Sequence, residues 1–141
     1  MNRDVLLTIT SLLSILLLTF HLSEDIVRGF ERGGPRNIIG VLMVVVWLYG
    51  TLVLAGRRSG YIIILVGSIL GAGVPVIHMT GAGLVGPRVV NSGRVFFWVW
   101  TLITLQLTAM FSLILSALLL WSLPWRRKAR AANCAINAPS S

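Results

Sequence analysis

After a short charged lead, Met1-Asn2-Arg3-Asp4, the chain from Val5 to Leu22 carries no charge apart from His21, and then Glu24 and Asp25 arrive almost together. As a helix this run is about 27 Å long, just enough to cross the hydrocarbon core of a bilayer. Three further apolar runs follow, at about 37–55, 61–79 and 95–123. The breaks between them are chemically clear. Residues 23–36 hold Glu24, Asp25, Arg28, Glu31, Arg32 and the breakers Gly33-Gly34-Pro35; Gly56-Arg57-Arg58-Ser59-Gly60 makes a tight turn; and residues 80–94 are Gly-rich, with Pro87, Arg88, Asn91 and Arg94. The second run is rich in Val and Ile, which in water would suggest a strand. In lipid the backbone must satisfy its own hydrogen bonds, so helix is expected. A turn as short as 56–60 makes the second and third helices antiparallel neighbours.

Small and weakly polar residues recur at helical spacing in each run, which predicts the faces where helices meet. In the first they are Thr10, Ser14, His21 and Asp25, and in the second Asn37, Gly40, Val44, Trp47 and Thr51. The third has Gly60, Gly67, Gly71 and His78, and the fourth Thr101, Thr104, Thr108, Ser112 and Ser116. The Gly67-x-x-x-Gly71 step is expected to let another backbone approach closely. Trp98 and Trp100 at one end of the fourth run, with Trp121 and Trp125 at the other, read as two interfacial aromatic belts. The expected fold is an all-α integral membrane protein: a four-transmembrane-helix up-and-down bundle over residues 1–125, then a basic juxtamembrane segment and disordered tail at 126–141.

Composition supports this: 56% of residues are hydrophobic, 11% are charged and the mean hydropathy is +0.89, beyond the range of soluble domains. A net charge of +8 would suggest nucleic acid in a soluble protein, but no basic stripe with interleaved aromatics is present. The basic residues sit instead in short connections and in Arg126, Arg127, Lys128 and Arg130, where they match anionic lipid headgroups. Arg3, Arg57, Arg58 and that C-terminal cluster fall on one side, against Arg28, Arg32, Arg36, Arg88 and Arg94 on the other. The asymmetry puts both termini and the Arg57-Arg58 turn in the cytoplasm, and the expected location is the cell (inner) membrane.

Candidate chemistry is sparse. The single cysteine, Cys134, excludes an internal disulfide or a Cys-x-x-Cys pair. His21 and His78 each lie near the end of parallel spans, so they are expected at one depth, facing inward, with Glu24 and Asp25 one turn beyond His21. Such a cluster could be a structural pairing. Alternatively, His21, His78, Glu24 and Asp25 could hold a divalent metal, or His21 and His78 a haem iron. Gln106, near mid-span, suggests an interhelical hydrogen bond, within the protomer or to a second subunit. The favoured function is a non-catalytic accessory or partner-binding subunit with an extracytoplasmic His/acid cluster. The alternative is a metal- or haem-dependent membrane redox protein or enzyme using His21 and His78.

Overall fold

The computed structural model describes residues 2–27, 34–35, 37–80 and 95–136; for 77–80, 95 and 124–136 it describes the backbone alone. Among the described residues the chain is all-helical, with four helices: α1 (Arg3–Val27), α2 (Asn37–Leu52), α3 (Arg58–Thr80) and α4 (Val95–Ile136). Three of them, α1, α3 and α4, contain stretches long and apolar enough to cross a membrane.

Helix ends depart from the expected ones. α1 runs through the acids to Val27 rather than stopping at Leu22, because nothing between Ser23 and Val27 breaks a helix and His21 pairs with Asp25 across one turn. α2 stops at Leu52, short of Ala55, so its 16 residues reach only about 24 Å. Leu54 has left the helical pattern: its N–H reaches back to the Tyr49 carbonyl and its own carbonyl accepts from Arg57 N–H. Gly56 supplies the one positive φ of the turn among the described residues, +75°, a conformation in which a Cβ would be strained. α3 then starts at Arg58, three residues before the expected Tyr61. At the other end α4 continues through Pro124 to Ile136, 42 residues in all, about 63 Å of helix. The helix thus includes the basic juxtamembrane segment 126–130 and continues over 131–136, the first part of the expected disordered tail; 137–141 lie outside the described residues.

Neighbouring helices are antiparallel. Gly40 and Thr51 of α2 lie against Leu22 and Ser11 of α1, so one helix climbs as the other descends. Gly50 and Gly67 place α2 against α3 in the same way, through Ile63 and Trp47. α4 packs along both α3 and α1, while α2 sits at the edge against those two. On α1 the buried positions Leu7, Ser11, Ser14, Leu18, His21 and Asp25 alternate steps of four and three. On α4 Trp98, Leu102, Leu105, Ala109, Ser112, Ser116 and Leu119 do the same. That seven-residue repeat is the signature of helices wound gently around one another in a left-handed bundle. Ser14, His21, Asp25, Thr101, Ser112 and Ser116 of the expected inward stripes are buried. Thr10, Thr104 and Thr108 are half-buried, and their hydroxyls bond carbonyls of their own helices.

The glycine step of α3 has a different occupant from the one expected. A Cβ at Gly67 would come 2.5 Å from Trp47 Cδ2, and one at Gly71 would come 3.0 Å from Trp47 Cη2. The step is therefore a slot for an indole ring, and Trp47, 1% exposed, is the side chain that fills it. Gly60 makes a true backbone approach, since its Cβ would collide with the Leu54 carbonyl of the turn.

Gly67→Ala should lower stability by about 1–3 kcal/mol, the usual range for overpacking a filled core. Gly73→Ala, where nothing lies within 4 Å, is the matched control and should be neutral or better. Thermal unfolding in detergent compares the two, and equal midpoints would mean that the slot does not hold α2.

Candidate functional site at the His21 end of the bundle

His21 and Asp25 are 3% and 5% exposed, which is unusual for ionisable side chains without partners. The helical repeat of α1 places them on one face, and His21 Nε2 stands 3.2 Å from Asp25 Oδ2. From α4, the buried Trp98 donates its Nε1–H to Asp25 Oδ1 at 3.1 Å. The imidazole and indole rings lie 6.0 Å apart and tilted by 49°. Asp25 thus uses one oxygen within α1 and the other to tie α1 to α4. A carboxylate held from both sides fixes the orientation of the imidazole it faces, as in carboxylate–histidine pairs generally.

The expected site residues are distributed as follows. The structure brings His21 and Asp25 together, and Glu24 is half-buried beside them on α1. His78 belongs to α3, but its side chain lies outside the described residues. Its height can still be placed from the backbone. Tyr61 of α3 donates its hydroxyl to Asp4 Oδ1 of α1 at 2.5 Å, and each histidine lies the same seventeen residues further along its helix. His21 and His78 therefore sit at about the same level. Among the described residues no group of three His, Cys, Asp or Glu side chains could hold a metal ion.

Trp98 is the site residue that the sequence reading assigned elsewhere. It was expected in an aromatic belt; it is 3% exposed and turned onto Asp25, whereas Trp100 and Trp121 face outward. The signal was available in its spacing, since Trp98, Leu102 and Leu105 continue the inward seam of α4. The Asp4–Tyr61 bond at the opposite end was not anticipated either. It joins α1 to α3 where both helices begin.

A third polar group lies between these two, and it is closed on itself. Trp47 Nε1–H donates to Ser11 Oγ at 2.9 Å, and Thr51 Oγ1 donates to the Trp47 carbonyl at 2.9 Å. Ser11 and Thr51 hydroxyls are 2.8 Å apart; with the Thr51 proton committed, Ser11 is the donor between them. Every proton in this circuit has an acceptor, as a dry interior requires. Gln106 is half-buried on α4, and its Oε1 is enclosed without a hydrogen-bond partner.

Comparison with known protein families, with curated proteins and with solved structures finds no match to this chain.

Breaking the clasp should be costly. Trp98→Phe removes one N–H bond to a carboxylate and should cost about 1.5–3 kcal/mol. Asp25→Ala removes the acceptor of two buried groups and should cost about 3–5 kcal/mol. The double variant should cost less than the sum, because both changes remove the same bond. Additive losses in detergent unfolding would show that Trp98 and Asp25 act separately.

Proposed function

We propose that the chain is a multi-pass protein of the cell (inner) membrane, with four spans and both termini cytoplasmic, acting as a non-catalytic accessory or partner-binding subunit. One observation carries this reading: the outward faces of all four helices are apolar, while His21, Asp25, Trp98, Ser11, Thr51 and Trp47 are bonded to one another inside the bundle. Ile39, Phe96, Leu107 and Trp121 are among the most exposed side chains, and water would penalise such surfaces severely while lipid would not. The apolar turn residues Val53, Leu54 and Ala55 extend the short α2 toward a full crossing, and the remaining mismatch is one that local bilayer thinning or a neighbouring subunit accommodates. Arg126, Arg127, Lys128 and Arg130 follow the last span and suit anionic headgroups. With Gln106 Oε1 enclosed, the amide NH₂ is the group left to donate to a second subunit. The His21–Asp25–Trp98 cluster is, on this reading, an extracytoplasmic clasp.

A second reading has the equal height of His21 and His78 behind it. There the two imidazoles, with Glu24 and Asp25, hold a divalent metal or a haem. An absorption spectrum and metal analysis of purified protein decide between them: a Soret band or stoichiometric metal replaces the first reading.

Topology is tested in a Cys134→Ser background with a cysteine at position 58. The protein should resist carbonate extraction from membranes, and Arg58→Cys should react with an impermeant thiol reagent only after cells are permeabilised. Labelling in intact cells would invert the orientation. A cysteine in place of Gln106 should cross-link to a partner of defined mass in native membranes; a purely monomeric product would remove the subunit contact.

A further inference from the structure

We propose that Ser68 of α3 and Ser112 of α4 share a buried water molecule, held in the same polar layer as Ser11, Thr51 and the Trp47 indole.

Helical serines and threonines usually return their hydroxyl proton to a carbonyl of the preceding turn. Thr8, Thr10, Ser14, Thr19, Ser23, Thr101, Thr104, Thr108, Ser116 and Ser122 all do so here. Ser68 and Ser112 do not. Both are 0% exposed, and neither hydroxyl has a hydrogen-bond partner. A buried hydroxyl left unbonded costs on the order of 1–3 kcal/mol, so two of them in one interior need a common explanation.

The register supplies it. A Cβ on Gly71 would lie 3.7 Å from Ala109 Cβ, and α3 and α4 run antiparallel. Ser68, three residues before Gly71, and Ser112, three after Ala109, therefore share one layer between these two helices. They lie at the height of Ser11 as well: Ser68 is seven residues beyond Tyr61, as Ser11 is seven beyond its partner Asp4. Ser11, Thr51, Trp47 Nε1, Ser68 and Ser112 thus form a single polar stratum, in which the first three are mutually bonded and the last two are not.

On the Asp4 side, a groove of about 290 Å³ between α1 and the 53–57 turn is lined by Asp4, Thr8, Tyr61 and Thr51 among others, so it touches one member of the stratum. Toward the other face, buried Ile15, Leu18, Leu102 and Leu105 separate the stratum from His21 and Asp25. The guest must be small and able both to donate and to accept. Water meets that description, since buried waters make two to four bonds to groups otherwise unsatisfied. A monovalent cation would face only neutral oxygens in an interior where charge is expensive.

Water-edited solid-state NMR of the full chain in lipid vesicles tests this. Magnetisation from water should reach Ser68 and Ser112 as fast as it reaches Thr51, and more slowly reach Leu105 and Leu18. Ser112→Ala should abolish the fast transfer to Ser68, and Ser68→Ala the reverse, while Thr51 keeps its signal. Transfer to the two serines no faster than to Leu105 would overturn the proposal. So would transfer that survives both substitutions. Serine signals that shift with sodium but not with choline would also overturn it, by making the guest a cation. Lipid-edited transfer to Leu107, read in the same samples, reports separately whether the chain is embedded in the bilayer, on which the shared water does not depend.

Discussion

The bundle depends on how one large side chain is seated. At Trp47 α1, α2 and α3 all meet: its ring lies in the Gly67 and Gly71 slot of α3, and its N–H is taken by Ser11 of α1. α2 buries little else, only Gly50 and Thr51 beside it, and Thr51 belongs to the same circuit. The two anchoring modes are interdependent. The glycines set the ring's depth, and only at that depth can Nε1 reach Ser11 and Thr51 reach the Trp47 carbonyl. A helix held mainly by packing can slide by a turn. One that must also complete a hydrogen-bond circuit cannot do so without leaving several buried groups unpaired, each at about 1–3 kcal/mol.

The same logic orders the bundle from end to end. Among the described residues, polar contacts tie helices at three heights: Asp4 with Tyr61, Ser11 with Thr51 and Trp47, and Asp25 with His21 and Trp98. Each links a different set of helices. The first joins α1 to α3, the second α1 to α2, and the third α1 to α4. α1 takes part in all three, so its polar residues set the register of every other helix against it, with apolar side chains such as Leu7, Ile15 and Leu18 filling the intervals. Apolar packing between helices is tolerant of slippage, and sparse polar contacts at fixed heights remove that tolerance.

Much of this arrangement could be read from the residues, and the failures have definite causes. Periodicity located all four helices and several of the inward faces, because a side chain's azimuth follows from its position in a 3.6-residue repeat. The ends were less legible. α1 outran its apolar stretch because the charges that mark the edge of an apolar run, here Glu24 and Asp25, do not by themselves stop a helix. α2 fell short because a turn needs residues of its own, and Val53 to Ala55 were apolar enough to look helical. The glycine step announced a missing side chain without saying what would occupy the space. Trp98 illustrates the commonest ambiguity. Near the end of a span, a tryptophan can face headgroups or turn inward to a buried acceptor, and composition supports both. What separates them is the seam of four- and three-residue steps along α4, which Trp98 joins and Trp100 does not.

The His21 cluster gains meaning from that seam. A histidine and an aspartate so deeply enclosed need a reason to be there, and one reason is ligand binding. The geometry offers a nearer one. Asp25 has both oxygens engaged, one by His21 and one by Trp98, so a ligand would first have to displace a contact that holds α1 to α4. In a metal site the carboxylate behind a histidine normally supports it from the far side and leaves the metal-facing nitrogen clear. Here the same carboxylate also anchors a neighbouring helix, and anchoring and ligation compete for its oxygens. Asp25 is accordingly placed better to fix two helices than to surrender an oxygen to a guest.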